Sequence, residues 1–117
     1  METEQRPGES MALRRGRRET MLVIIFPRDL EEPVLEALRR AEVPGYTEAT
    51  GWHGIGDSGP VLGSSVWPGE NGVILTAVTP EQTEHVVELI REVHDHRRVQ
   101  MAGTGMAVFA FPCTQLL

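Results

Sequence analysis

Two apolar runs limit the fold more than anything else in the chain: Met21, Leu22, Val23, Ile24, Ile25 and Phe26, and then Val73, Ile74, Leu75, Thr76, Ala77 and Val78. A strand with one wet face alternates apolar and polar residues, and neither run does. Each must therefore be covered on both sides or lie in the middle of a sheet. Pro27 ends the first run. With 117 residues the chain is long enough for one modest core without staples, and its single cysteine, Cys113, excludes an internal disulfide framework.

Each run is followed by a helical pattern. After the first, Leu30, Val34, Leu35, Leu38 and Ala41 recur at helical spacing. Asp29 with Glu32 three positions on reads as a capping box, Pro33 fits the first turn, and Pro44 with Gly45 stops the helix. After the second, Thr79 is the expected N-cap, Pro80 the first helical residue and Gln82 the box partner. Val86, Val87, Leu89, Ile90 and Val93 then form an apolar face, closed by His94, Asp95, His96, Arg97 and Arg98. Residues 46–53 read as a more exposed strand, and residues 106–111 as the last strand. The order strand, helix, strand, strand, helix, strand gives an α+β, ferredoxin-like βαββαβ sandwich: an antiparallel sheet, the two apolar strands central, both helices on one face. The other face then needs a cover as well, and association through the sheets supplies it.

Charge separates the chain into two parts. Residues 1–19 hold five arginines against four acids and lack periodic apolar positions, so they read as a disordered tail before a domain of residues 20–117. The domain holds six arginines against thirteen acids. Such a surface repels nucleic acid and anionic membranes. There is no lysine, which excludes Schiff-base and Walker-type lysine chemistry. With no apolar run near ~18 residues and no signal-peptide pattern, the expectation is a soluble, cytoplasmic protein.

Residues 51–72 contain seven glycines, two prolines and both tryptophans. A hairpin connection needs only about 2 to 5 residues, so this stretch is expected to meet something else. Val61, Leu62, Trp67 and Glu70 are its candidate contacts, and Pro68-Gly69 and Asn71-Gly72 its candidate turns. Asp57 and Glu70 are acids on a polar loop and Cys113 has no local histidine, so a non-enzymatic role is expected. Gly54-Ile55-Gly56 and Gly103-Thr104-Gly105 are either simple turns or backbone N–H cradles for phosphate. In the second reading Ser58 and Thr104 add hydroxyl donors and Arg97 and Arg98 cationic charge. His94 and His96 form a compact metal-ligand pair in the rival reading, a CutA-type ion-tolerance protein.

Val43-Pro44-Gly45-Tyr46-Thr47 entering the second strand, Gly54-Ile55-Gly56 opening the long loop and Gly103-Thr104-Gly105 before the last strand occur in an order and spacing that resemble the PII-like signalling superfamily. The resemblance covers residues 20–112. It implies a homotrimer with three inter-subunit clefts that bind a small-molecule effector, an adenine nucleotide, and no further cofactor. Gly54, Ile55, Gly56, Asp57 and Ser58 would form one wall of a cleft. Gly103, Thr104 and Gly105 of the adjacent chain would form the other. The loop, residues 54–72, would engage a membrane transporter or regulatory protein. The lysine that the family places before the final strand is replaced by Gln100 and Met101, and the loop has no tyrosine, which argues against ATP with 2-oxoglutarate as the ligand pair.

Overall fold

The computed structural model describes residues 11, 15–52, 70–100 and 103–117, and of Trp52 the backbone alone. Its elements run β1 (Arg17–Pro27), a single 3-10 turn (Arg28–Leu30), α1 (Glu31–Arg40), β2 (Thr47–Trp52), β3 (Asn71–Val78), α2 (Pro80–Gln100) and β4 (Ala107–Gln115). The sheet is antiparallel throughout, in the order β2-β3-β1-β4, so the two apolar runs are its central strands. This is the ferredoxin-like βαββαβ arrangement.

β1 and β3 pair from Thr20 with Val78 to Pro27 with Asn71. Leu22, Ile24 and Phe26 on β1 face the helices with Ile74, Thr76 and Val78 on β3, and all six are buried. Val34, Ala37 and Leu38 of α1 and Val86, Leu89 and Ile90 of α2 complete the core. Thr76 is a buried hydroxyl within it; Oγ1 donates to the Gly45 carbonyl at 2.6 Å and fixes the turn before β2. The opposite residues of the same strands face away from the helices. Here Leu75 is 43% exposed, and on β4 Phe109 is 57% and Phe111 48% exposed.

The helix starts differ. At α2 the capping box forms as read: Gln82 N–H donates to Thr79 Oγ1 at 3.1 Å, and Thr79 N–H donates to Gln82 Oε1 at 3.1 Å. At α1 the expected Asp29–Glu32 box does not form. Asp29 sits inside the 3-10 turn, the helix starts after Leu30, and no side chain caps it. Leu30 is drawn into the core, which carries Asp29 one turn too early to reach the helix's free N–H groups.

The end of α1 comes from its backbone before Pro44 is reached. Glu42 takes up a left-handed φ of 56°; its N–H donates to Arg39 O at 3.1 Å, and Val43 N–H donates to Leu38 O at 3.4 Å. This is the Schellman closure. Two strands run longer than their apolar cores imply. β1 begins at Arg17, where pairing with Gln115 and an Arg17 Nε to Glu19 Oε1 contact of 2.7 Å replace apolar signal. β4 continues through Pro112 to Gln115, which an edge strand tolerates. Asn71 and Gly72 are not a turn but the first residues of β3. Gly72 pairs with Phe26, and a Cβ there would lie 2.4 Å from the Phe26 ring.

Candidate functional site

Strand register brings the candidate segments to one end of the sheet. Trp52 pairs with Asn71, Asn71 with Pro27, and Ile25 with Ala107. The two ends of the long loop, the turn after β1 and the segment leading into β4 therefore share an edge. Two strand spacings, about 10 Å, separate β3 from β4. Residues 54–67, and with them the candidates Gly54, Ile55, Gly56, Asp57, Ser58, Val61, Leu62 and Trp67, lie outside the described residues, as does His53.

Gly103, Thr104 and Gly105 are half-buried just before β4. Gly105 has a φ of 72°, open to glycine without strain. Thr104 Oγ1 accepts a hydrogen bond from Met106 N–H at 3.2 Å, which leaves its own O–H proton to donate elsewhere. The turn is thus ordered by its hydroxyl and still carries a donor.

The loop's base is held by Glu70. Its carbonyl accepts from Arg28 N–H at 2.9 Å and its Oε2 lies 2.8 Å from Arg28 Nη1. Beside that carboxylate lies Gly51, whose φ of 84° favours glycine, where β2 breaks register with β3. Glu70, read from sequence as a partner contact, is in the subunit a tether between β3 and the turn after β1.

The two arginines proposed for anion binding differ in environment. Arg97 Nη2 donates to Asp29 Oδ2 at 2.6 Å, and the Arg97 side chain is only 14% exposed. Arg98 is exposed. His94 Nδ1 lies 2.9 Å from Asp95 Oδ1, and His96 is exposed. Among the described residues no group of three or more His, Cys, Asp or Glu side chains is placed to hold a metal ion. No helix among them is long and apolar enough to cross a membrane.

Sequence reasoning missed a carboxyl pair. Glu48 on β2 stands opposite Ile74, on the helix side of the sheet, next to Glu31 at the start of α1. A hydrogen bond with Glu31, then burial, then the Glu31 charge hold the Glu48 carboxyl above the usual carboxylate range, and its Oε2 is buried without a donor. A carboxyl–carboxylate hydrogen bond requires one shared proton. The only signal in sequence is an acid on the core-facing parity of an edge strand. The Arg28–Glu70 and Asp29–Arg97 pairs were also missed, because their partners lie 42 and 68 positions apart.

Fold and site together define a class: a small ferredoxin-like subunit with one sheet face packed under helices, large apolar side chains exposed on the other, and the ends of its glycine-bearing connections gathered at one end of the sheet. A family model described as nitrogen regulatory protein P-II matches residues 19–115, and the chain belongs to that family. It is accordingly a regulatory, non-catalytic signalling protein. Among solved structures it is similar to CPII, a PII-like protein of Thiomonas intermedia, bound to ADP, AMP and bicarbonate. That match has 20% identity and a TM-score of 0.68, covering 86% of this chain and 90% of that one. The same protein bound to ADP and bicarbonate matches at 22% identity, with the same TM-score and coverage. A PII-like signalling protein of Thermus thermophilus matches at 16% identity and a TM-score of 0.55, again over 86% of this chain and 90% of that one. No curated protein matches the chain.

Proposed function

We propose that the protein works as a homotrimer whose subunits meet through their open sheet faces, forming three inter-subunit clefts that bind an adenine nucleotide. In this reading the Gly103–Gly105 turn of one subunit faces the loop base of the next. The loop of residues 54–72 reports occupancy to a transporter or regulatory protein in the cytoplasm. The observation that carries the reading is the apolar sheet face itself. Leu75, Phe109 and Phe111 are large and exposed, with Val23, Ile25, Val73 and Ala77 beside them on the same side. A contiguous apolar patch of this kind marks an association surface. CPII, with its ADP, AMP and bicarbonate, supports a nucleoside mono- or diphosphate, with a small anion beside it, as the ligand class.

Light scattering on the full chain tests the assembly, and calorimetric titration with AMP, ADP and ATP, each with and without bicarbonate, tests the ligand. The expected result is a trimer that binds AMP or ADP well below millimolar concentration. A monodisperse monomer would end the assembly reading, and no nucleotide binding below millimolar would end the ligand reading. Arg98→Ala is expected to weaken nucleotide binding more than Arg97→Ala does, since Arg97 already holds Asp29.

A further inference from the structure

The turn after β1 holds two consecutive charged residues with partners in different parts of the fold. Because β1 lies between β3 and β4, its terminal turn lies between the base of the long loop and the segment entering β4. Arg28 holds Glu70 through both backbone and side chain, at 2.9 and 2.8 Å. Asp29 holds Arg97, three residues before the end of α2 at Gln100, at 2.6 Å. Leu30, the third residue of the turn, is buried in the core and fixes it in place.

The two ends of this clip are unequal. Arg28 and Glu70 are 64% and 36% exposed, so their ion pair is weak and screened by salt. Arg97 and Asp29 are 14% and 33% exposed. Breaking that pair leaves a largely desolvated guanidinium without this partner, which costs more. The Arg97 end is the anchor, and the Glu70 end yields first.

We infer that the Arg28–Asp29 turn is the mechanical link, within each subunit, between the base of the long loop and the segment that carries the Gly103–Gly105 turn. Arg28, Asp29, Glu70 and Arg97 are then positioning residues, which set the relative placement of the two segments without touching a ligand. What they couple rests on the function proposed above: in a trimer the loop base serves one cleft and the Gly103–Gly105 turn serves the next, so the turn joins neighbouring sites through one chain. The clip itself is defined by the contacts within a single subunit.

Amide hydrogen exchange on the full-length, ligand-free protein tests the link, with Glu70→Gln and Asp29→Asn as variants that keep side-chain shape and remove charge. Glu70→Gln should speed exchange at residues 97–100 as well as at 71 and 72, and Asp29→Asn should speed exchange at 70–72 as well as at 97–100. An effect of about fivefold at the far segment is the size expected of such a coupling. Raising the ionic strength, which screens the exposed Arg28–Glu70 pair, should speed exchange at both segments in the wild type and add little in Glu70→Gln, and the charge swap Arg28→Glu with Glu70→Arg should restore the wild-type pattern. Effects confined to each variant's own pair overturn the inference, whatever happens to thermal stability. Nucleotide titration of the same variants separates the two proposals. Cross-talk in the variants with no nucleotide binding by the wild type keeps the link and removes the ligand. Nucleotide binding by the wild type with no cross-talk in the variants keeps the ligand and removes the link. Where both hold, the two substitutions combined should change affinity by something other than the product of their separate effects.

Discussion

The two faces of the sheet are built from the same kinds of residue, and only one of them is finished. Leu22, Ile24, Phe26, Ile74 and Val78 are completely buried under α1 and α2, whereas Leu75, Phe109 and Phe111, from the alternate positions of the same sheet, remain about half exposed. Hydrophobicity alone does not distinguish the two sets. What differs is what covers them: α1 and α2 both go to one side. A strand that shows no alternation in sequence can therefore record two different burials, one completed within the subunit and one left for another surface.

Substitutions on the two faces should accordingly fail in different ways. The largest effect is expected from Leu75→Asp. A carboxylate buried in a sheet-to-sheet contact costs about 3 kcal/mol or more, so the assembly should dissociate. Light scattering should report a smaller particle while circular dichroism keeps the subunit's spectrum; an unchanged mass would show that the open face is not the contact. On the covered face, Gly72→Ala drives a methyl group into the Phe26 ring, at 2.4 Å from its nearest atom. The cost of overpacking there is about 1–3 kcal/mol, read as a lower denaturation midpoint at any protein concentration. A Gly72→Ala variant as stable as the wild type would mean that Phe26 has room to turn away.

Glu48 sharpens the contrast through pH. Its folded-state pKa lies above the unfolded value, through the hydrogen bond with Glu31 and burial. Its contribution to stability is thus fully present below the unfolded carboxylate range and is lost as pH rises through the raised folded value. Glu48→Gln, which can donate to Glu31 without needing a proton, should stabilise the subunit at neutral pH by about 1 kcal/mol. The gain should vanish in acid, as a series of thermal melts against pH would show. A gain that persists unchanged at low pH would remove the shared proton from the account. The smallest effect concerns how the cover is fastened. Glu42, with its φ of 56°, occupies the position glycine favours at a helix end. Glu42→Gly should raise the denaturant midpoint slightly, by about 0.5 kcal/mol, the relief of left-handed strain being partly offset by the flexibility of glycine in the unfolded chain.

What could be read from sequence was what depends on near neighbours. The element order followed from apolar spacing, and the α2 start followed from Thr79, Pro80 and Gln82, whose hydrogen bonds span three residues. Asp29 shows the limit of that method. A cap was the natural local reading of an acid before a helix, but its partner is Arg97, across the fold. Asn71-Gly72 misled in the same way. It has the composition of a turn, yet Gly72 is needed because Phe26 from another strand fills its side-chain space. In the candidate site, Gly103-Thr104-Gly105 could be singled out because a Gly-x-Gly run is a local pattern, and the structure gives it a local turn geometry, with a φ of 72° at Gly105 and a Thr104 hydrogen bond two residues on. The roles of Glu48 and Glu70 were not legible in this way, since their partners Glu31 and Arg28 are supplied by other elements.

The sheet's two margins carry a consequence of their own. Along β4 the edge is interrupted by Pro112, which has no N–H to offer a neighbouring strand, and along β2 the ladder slips out of step between Ala49 and Trp52. Both are ways in which a β-sheet refuses an extra strand. Side-by-side addition of copies into an open-ended ribbon is thereby discouraged, whereas the stacking contact proposed above is one that a rotation can close on itself after a fixed number of members.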